Sequence, residues 1–563
     1  MGPRTLRHRA GPLIVLTAVA GLTLSGAGLA AQQRTPVFTH ADTLRGALGP
    51  ARDWWDVTFY DLNVSVSPAD SSISGWNGIT YRVSRPGREL QVDLQPPLVV
   101  DSIMLEGRAL AWRHDGSAFF VMLPAEQRPG ATHTVTVHYH GTPVVAVRPP
   151  WDGGFTWQRD ARGAPWVSTA NQGIGASVWW PNKDHPSEEP DSQRVAVTVP
   201  TPMVNVSNGR LRSTTLNEDG TSTFEWFATS PINNYGISVN AGSYAHWQEI
   251  YEGEDGPLTM DFWPLAVNEQ AARRQWTQAR TMMRCFEHWF GPYPFYADGY
   301  KLVEAPYLGM EHQTAVTYGN GYRNGYLGRD LSGTGQGLAW DYIIIHESAH
   351  EWFANNITSA DDAAMWMHEG FAMYAEGLYT ECLTGSKEAG AEYVRGVRAR
   401  ISNDRPIQGI YGVSYPGSGD MYDKGANMLH TIRQLVDDDE RWRQVLRGLN
   451  REFGWQTVRS AQVEEYIASE GGVDLDEVFE QYVRTPMVPR LEYRIEGSTL
   501  SYRWTDVVPG FAMPVRATLA QGRVGWLRPT EQWRSVETDL GSDGDFSVDP
   551  NFYVRVRNAG PAD

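Results

Sequence analysis

The sequence predicts a multidomain α+β protein with an N-terminal antiparallel β domain, a mixed α/β domain and a small C-terminal β-sandwich. Residues 54–243 contain short runs of alternating apolar and polar side chains, separated by Gly, Pro, Asp and Ser clusters, as half-buried strands do. Residues 423–483 show helical spacing instead, and the alternation returns over 491–556. The chain of 563 residues has ample length for these domains.

The first 30 residues have the composition of a secretory signal peptide. Three arginines form a basic region, residues 13–24 form a short apolar run, and Gly28 and Ala30 suit cleavage after Ala30. The run is too short to favour a membrane-spanning helix, although an uncleaved anchor is the alternative. We therefore expect an exported protein, periplasmic or extracellular, whose mature chain has no stable membrane insertion.

Charge and cysteine content exclude several classes of function. The formal net charge of −18 argues against nucleic acid as a partner and against an anionic membrane surface. The two cysteines, Cys285 and Cys382, are too few for a disulfide-dense scaffold or a Cys-rich zinc site. In an exported protein they could pair or stay as buried free thiols, and the sequence leaves both open.

The changes of pattern along the chain predict the domain boundaries. A helix is predicted over 271–290, ending at Gly291, and Pro486 and Pro489 mark the last boundary. The predicted segments are a signal peptide at 1–30, a flexible lead-in at 31–50, the β domain at 51–243, the mixed domain at 244–488 and the C-terminal β domain at 489–563.

The mixed domain contains a His-Glu-x-x-His motif at residues 346–350. On a helix this spacing places both imidazoles on one face, one turn apart, where they suit Zn²⁺. A catalytic zinc keeps three protein ligands, and Glu369, nineteen residues beyond His350, is the candidate for the third. Adjoining apolar residues form the stripe that would bury this helix: Ile345, Ala349, Trp352 and Phe353.

Further motifs, in the same order along the chain, resemble those of the zinc aminopeptidase family of aminopeptidase N, a group of gluzincin metallopeptidases. Residues 309–312 (Gly-Met-Glu-His) are similar to the family's Gly-x-Met-Glu-Asn motif, with His312 at the Asn position. Residues 366–372 are similar to Trp-Leu-Asn-Glu-Gly-Phe-Ala, and residues 422–425 to Tyr-x-Lys-Gly. Upstream, Gln172 and the Trp-Trp-Pro segment at 179–181 resemble the family's N-domain substrate loop.

The resemblance implies a thermolysin-like catalytic domain and one Zn²⁺ per chain, held by His346, His350 and Glu369. Glu347 would be the general base, taking a proton from a zinc-activated water and passing it to the leaving amine. Glu376 is similar to a residue that orients a ligand imidazole, although a solvated helix charge is the alternative.

The same resemblance assigns substrate contacts. Glu311 would pair with the free α-ammonium of a peptide, Gln172 would hydrogen-bond the same amine, and the backbone of Gly309 and Met310 would lie along the peptide. Tyr422 would stabilise the tetrahedral intermediate, with core packing as the alternative.

We therefore predict an exported zinc aminopeptidase that hydrolyses the N-terminal peptide bond of peptides with a free N-terminus. A thermolysin-like zinc endopeptidase is one alternative, against which Glu311 and Tyr422 argue. A catalytically silent peptide-binding protein of the same fold is another, although no zinc ligand and no general base is missing. An epoxide hydrolase activity, known in one branch of the family, is a third, for which no residue selects.

Overall fold

The computed structural model describes residues 36–540 and 545–560, and its described helices and strands all lie in the compact unit Thr39–Asp563. The predicted signal peptide at 1–30 lies outside the described residues, as do residues 31–35 of the lead-in. Among the described helices, none has the length and apolar character needed to cross a membrane.

The lead-in is not flexible throughout, because helix α1 occupies His40–Gly46. A capping box between Thr39 and Asp42 closes its first turn. At its other end Arg52, which is fully buried, donates hydrogen bonds to the carbonyls of residues 45 and 47, at 2.6 and 3.2 Å. The prediction of flexibility fails for this segment because a side chain of the following domain binds the helix end.

The N-terminal domain is built from strands, as predicted. Its strands are β1 (Trp55–Ser67), β2 (Ser72–Val83), β3 (Gly87–Asp93), β4 (Val99–Leu105), β5 (Arg108–Ala109), β6 (Trp112–Asp115), β7 (Ala118–Gln127), β8 (Thr132–Gly141), β9 (Gly154–Arg159), β10 (Pro165–Ala170), β11 (Ser192–Pro200), β12 (Val204–Val206), β13 (Arg210–Leu216), β14 (Thr221–Ala228) and β15 (Asn240–Gly242).

These strands form three sheets, with the orders β13-β14-β11-β1-β2-β8-β4-β5, β12-β15-β10-β9 and β3-β7-β6. The pairings are antiparallel except for β1 with β11, which run in parallel with Leu62 opposite Val195. Inward side chains alternate with half-buried ones, as in β14, where Phe224 and Trp226 are buried and their neighbours are half-buried. The alternation of apolar and polar residues in the sequence therefore corresponds to side chains that alternate between the core and the outer face of these sheets.

The mixed domain begins with a five-stranded sheet in the order β16-β17-β18-β20-β19. Its strands are β16 (Trp247–Gly253), β17 (Gly256–Trp263), β18 (Tyr300–Glu304), β19 (Gly309–Met310) and β20 (Val316–Tyr318). A short parallel pair is formed by β21 (Ile357–Ser359) and β22 (Gln456–Val458). Because β19 is at the sheet edge, one side of its backbone is not paired with another strand.

Helices make up the rest of this domain. They are α2 (Glu269–Gln275), α3 (Gln278–Phe290), α4 (Tyr342–Ala349), α5 (Trp366–Thr384), α6 (Lys387–Gly396), α7 (Asp423–Val436), α8 (Asp439–Glu452), α9 (Ser460–Gly471) and α10 (Asp476–Arg484). The helix predicted over 271–290 is divided at Trp276 and Thr277 into α2 and α3, and it ends at Gly291, whose φ of 96° suits glycine.

Helix α4, which carries the His-Glu-x-x-His motif, departs from the predicted amphipathic pattern. All of its residues are buried, because α3, α5 and the strands β19 and β20 surround it. The helix ends at Ala349, His350 is its C-cap, and Trp352 and Phe353 follow the helix instead of extending its stripe. Both of these aromatic residues are nevertheless buried.

A disulfide between Cys285 of α3 and Cys382 of α5 decides the question that the sequence leaves open. It links two helices that both pack on the core around α4. The cross-link therefore constrains the position of α5.

The C-terminal segment is β structure, as predicted. Its strands are β23 (Arg490–Glu496), β24 (Thr499–Thr505), β25 (Val515–Ala520), β26 (Arg523–Leu527), β27 (Arg534–Glu537) and β28 (Arg555–Asn558). They form a sheet in the order β27-β24-β23-β28 and a separate β25-β26 hairpin. The predicted fold class is therefore confirmed.

Helices α5 and α7 cross at a contact between two glycines. A Cβ built on Gly425 would lie 2.8 Å from the Cα of Gly370, closer than Cβ atoms approach other heavy atoms. The contact lies one residue after Glu369 and three residues after Tyr422. Glycine at these two positions therefore sets how closely Glu369 and Tyr422 approach each other.

We predict that Gly425→Ala destabilises the protein by roughly 1–3 kcal/mol, because the added methyl group forces α5 and α7 apart. The direction of the change in the free energy of unfolding is informative. Alanine has a higher helix propensity than glycine and would stabilise α7 if the two helices were not in close contact. Denaturant unfolding measures the change. Gly419→Ala is the matched control, because a Cβ there would meet nothing within 4 Å. A stabilised Gly425→Ala variant would contradict the proposed close packing.

Candidate metal and peptide site

Three potential metal ligands meet where α4 ends and α5 begins. The Nε2 atoms of His346 and His350 lie 3.5 and 3.3 Å from Oε2 of Glu369. All three side chains are buried, and their ligand atoms lie within 4.8 Å of one another. The structure therefore brings together the three residues that the sequence predicts as zinc ligands.

The hydrogen bonds of His346 and His350 determine the tautomer of each imidazole. They show that the nitrogen facing Glu369 is the one without a proton. Nδ1 of His346 lies 2.7 Å from Oε1 of Glu376, and Nδ1 of His350 lies 3.0 Å from the carbonyl of Phe353. A carboxylate and a carbonyl can only accept, so in each neutral ring Nδ1 carries the proton and Nε2 presents a lone pair.

These lone pairs make the site suitable for a cation. Both Nε2 atoms face Glu369 Oε2, a buried oxygen that has no hydrogen-bond partner among the described residues. Lone pairs of neutral imidazoles and a carboxylate repel at this distance unless a cation lies between them. Two histidines and one glutamate are a donor set that zinc accepts in catalytic sites. The residues present therefore fit a divalent metal.

Other side chains fix the ligands in place. Tyr393 donates a hydrogen bond to the second carboxylate oxygen of Glu376. The ring of Tyr342 stacks on that of His346, with centroids 5.1 Å apart and an angle of 14° between the planes. Neither tyrosine is among the site residues predicted from the sequence. The i, i+4 spacing of Tyr342 and His346 could have indicated the stacking, but nothing near Tyr393 in sequence indicates its contact.

Glu347 lies beside the ligands and borders the same cleft. Burial raises the pKa of its carboxyl to about 8. A Cβ on Gly309 would lie 3.1 Å from Oε1 of Glu347 and 2.7 Å from Ile343. The glycine of β19 therefore leaves the room that this carboxylate occupies.

The predicted amine-binding residues are also adjacent. The amide nitrogen of Gln172 donates to Oε1 of Glu311 at 2.7 Å and to Oε1 of Glu369 at 3.2 Å. The hydroxyl of Tyr235 donates to the same oxygen of Glu311 at 3.1 Å. Burial raises the pKa of Glu311. Tyr235 was missed, because its loop in the N-terminal domain carries no motif that points to this site.

His312, which replaces the Asn of the family motif, contributes no charge beside Glu311. Both ring nitrogens are buried without a hydrogen-bond partner in the described part of the chain. Burial lowers the pKa of the ring to about 3, so the ring stays neutral. The backbone at this position is bound by another side chain, since the amide of Asn355 donates a hydrogen bond to the carbonyl of Glu311 at 2.8 Å.

Tyr422 borders the same cleft as Glu347 and the three potential metal ligands. Its ring stacks against that of His346, with centroids 6.0 Å apart, and its hydroxyl hydrogen-bonds with Glu369. Burial raises its pKa well above the ordinary value for tyrosine, and the charge of Glu369 adds to the rise. The phenol therefore keeps its proton and can act as a donor.

These groups border one cleft of about 830 Å³, large enough for several residues of an extended peptide. Gly309 and Met310 line it, and β19 pairs with β20 only on its other side. The open edge of β19 can therefore pair with an extended chain in the cleft.

Comparison with known proteins agrees with the predicted family. Residues 275–482 match the Peptidase family M1 domain. Human Aminopeptidase B is 23% identical over 506 residues, which cover 83% of this chain and 67% of that protein. Probable aminopeptidase 1 of Sulfurisphaera tokodaii is 22% identical over 243 residues, 40% of this chain and 30% of that protein. This chain also spans 48% of rat Aminopeptidase B, so it covers less than half of several curated relatives.

Solved structures confirm the fold. A crystal structure of a mutant M1 zinc metallopeptidase from Deinococcus radiodurans, bound to a Tyr-Ser-Ala substrate, superposes with a TM-score of 0.65 at 23% sequence identity. The match covers 78% of this chain and 96% of that one. At 23% identity, this structural similarity establishes the arrangement of helices and strands.

We predict that Glu376→Gln weakens divalent metal binding at least roughly tenfold, since the groups that orient metal-bound histidines have effects of that size. The substitution keeps the shape but removes the charge that holds Nδ1 of His346 protonated. Competition with a chromogenic chelator measures the affinity. Glu388→Gln, on the exposed face of α6, is the control. Equal affinities in the two variants would show that Glu376 does not support the ligand set.

Proposed function

We propose that this chain, whose residues 275–482 form a Peptidase family M1 domain, is a zinc-dependent aminopeptidase acting on peptides with a free N-terminus. One observation carries the proposal: Glu311 borders the same cleft as His346, His350 and Glu369. The three metal ligands alone are compatible with many kinds of peptidase. A buried carboxylate beside them can pair with the positively charged amino end of a peptide, which favours an aminopeptidase.

We assign one Zn²⁺ per chain to His346, His350 and Glu369. When bound, zinc supplies a Lewis acid that polarises a peptide carbonyl. Glu376 and the Phe353 carbonyl orient the two imidazoles so that both Nε2 atoms face Glu369, where they would hold the ion.

Glu347 is the general base in this proposal. Its carboxylate borders the cleft beside the ligands and can take a proton from an attacking water and return it to the leaving amine. Tyr422 donates a hydrogen bond to the oxygen of the former carbonyl as negative charge develops there. Its stacking on His346 fixes the position from which it donates.

Glu311 determines which peptide bond is cut. The hydrogen bonds from Gln172 and Tyr235 both reach its Oε1, and they hold the carboxylate at the cleft wall. An α-ammonium in the cleft would pair with this carboxylate, while the open edge of β19 binds the peptide backbone. The first residue of the peptide is thereby placed with its own carbonyl beside the three residues that would hold the metal.

We also propose that the protein is exported. The signal-like composition of residues 1–30 supports this, and so does the Cys285–Cys382 disulfide, which is typical of oxidising compartments. Cleavage after Ala30 would leave Ala31 as the first residue, which N-terminal sequencing of exported protein checks. A mature chain that retains residues 1–30 would indicate an uncleaved anchor.

We predict that acetylating the N-terminus of a decapeptide reduces its turnover by about two orders of magnitude or more. The acetylated amine cannot pair with the carboxylate of Glu311, which then stays buried without an opposite charge. An unpaired buried charge costs on the order of 3–5 kcal/mol. Mass spectrometry of a timed digest measures both the rate and the order of products. The free peptide should shorten one residue at a time from its amino end.

Glu347→Gln is the control for this experiment, because it removes the base and leaves the three ligands in place. It should bind zinc and cleave neither peptide measurably. Internal cleavage as the first event, or equal turnover of the acetylated and free peptides, would favour the endopeptidase alternative.

A further inference from the structure

A loop of the N-terminal domain carries an exposed tryptophan to the cleft. Trp151 lies in the segment 142–153 that joins β8 to β9, and it borders the cleft together with Pro150. Its exposed fraction is 66%, the largest of any tryptophan that the structure describes. Because tryptophan is highly buried on average, its exposure at the wall of a cleft indicates a surface that a ligand covers.

Hydrogen bonds hold this loop in one conformation. The carboxylate of Asp152 accepts from the backbone nitrogens of Val147 at 2.7 Å and of Arg148 at 2.8 Å. The backbone nitrogen of Trp151 donates to the carbonyl of Arg148 at 3.0 Å. The indole itself has no hydrogen bond and no stacked ring in the part of the chain that the structure describes. The backbone of the loop is therefore fixed, while the face of the indole is free to bind a ligand.

Trp151 and Gln172 lie at the same end of one pair of strands. Strands β9 and β10 are antiparallel, and Gly154 at the start of β9 lies opposite Ala170 at the end of β10. Trp151 comes three residues before Gly154, and Gln172 comes two residues after Ala170. The two residues are therefore neighbours at this end of the sheet, and both border the cleft.

Close packing joins the two segments. Gly153 has a φ of 68°, and a Cβ there would lie 2.3 Å from Cγ2 of Ile174. Glycine thus lets the loop of Trp151 lie directly on the loop of Gln172. Because Gln172 donates to Glu311 at 2.7 Å, Trp151 is placed on the side of the cleft that is assigned to the substrate's amine.

The surroundings of Gln172 supply further apolar surface. Sδ of Met365 lies 3.9 Å from the amide nitrogen of Gln172, and Met310 directly precedes Glu311. Both methionines border the cleft. In a peptide, the α-ammonium and the first side chain are attached to the same carbon. When the ammonium is paired with Glu311, the first side chain therefore starts in the part of the cleft that the methionines and Trp151 border.

We infer that Trp151 is a specificity-determining residue: its indole covers the side chain of the substrate's first residue, so the enzyme favours large apolar first residues over alanine. The inference rests on the aminopeptidase function proposed above and adds the size of the preferred side chain. A leucine or phenylalanine side chain and the indole face remove each other from water, and the gain grows with the apolar area that both bury. Alanine covers too little of the indole to gain from this contact.

The values of kcat/KM for Ala-, Leu- and Phe-p-nitroanilide test the inference. These substrates carry the same charge and leaving group, so the carboxylates of the cleft act on all three alike. Trp151→Ala should lower the Leu/Ala and Phe/Ala ratios by about tenfold, the discrimination that a hydrophobic pocket obtains from one or two methylene groups. The loss should appear mainly in KM, because the contact is made before and during the reaction. Trp151→Phe, which keeps an aromatic face, should retain most of both ratios.

Trp455→Ala is the matched control. Trp455 is 53% exposed, lies on the turn between α8 and β22, and does not border the cleft. Its substitution removes an equally large exposed side chain and should leave all three values of kcat/KM unchanged. If Trp151→Ala does not fold, the same ratios measured with Trp151→Gln decide, because a polar side chain is tolerated at an exposed position.

Three results would overturn the inference and leave the aminopeptidase function intact. They are a wild type that cleaves the alanine substrate as well as the leucine substrate, unchanged ratios in an active Trp151→Ala enzyme, and an equal loss for all three substrates in that enzyme. A changed preference between Leu-Gly-amide and Leu-Phe-amide, with an unchanged Leu/Ala ratio, would also overturn it, because Trp151 would then contact the second residue. A wild type that cleaves none of these substrates overturns the proposed function and this inference together.

Discussion

Three buried lone pairs converge between α4 and α5, and the rest of the site depends on holding them there. Two imidazole nitrogens and a carboxylate oxygen would separate if their side chains were free, because like groups repel where water is excluded. Glu376 and the Phe353 carbonyl fix the rings, and Tyr393 in turn fixes Glu376. The Gly370–Gly425 contact and the disulfide between α3 and α5 then fix the helix that carries Glu369.

The parts of the site that local sequence can predict are those that a single helix or strand sets. The spacing of His346 and His350 places their rings together even though His350 is the C-cap, because its backbone still has helical angles. Glu369 was found through its distance from the histidines, and Gln172 and Glu376 through resemblance to family motifs. These signals lie in short segments that can be compared directly with known patterns.

The parts that sequence did not predict arise where distant segments meet. Tyr235 reaches Glu311 from a loop 76 residues away in sequence, and nothing in that loop points to a carboxylate. The lead-in has no strong periodicity and was predicted to be flexible, yet Arg52 and His185 bind the end of α1. Side chains far from a segment in sequence can thus decide whether it is ordered, and composition does not show them.

The loop at 171–177 connects Gln172, the residue proposed to bind the substrate amine, with the packing of helix α1. Gln172 at its start contacts Glu311, and Ser177 at its end binds Asp184. Between them Gly175 has a φ of 91°, and a Cβ there would lie 2.2 Å from Oδ2 of Asp184 and 3.1 Å from Arg45. A larger residue would push the loop away from both groups. The position of Gln172, and with it the proposed anchor for the α-ammonium, therefore depends on the same packing that holds Arg45 of α1.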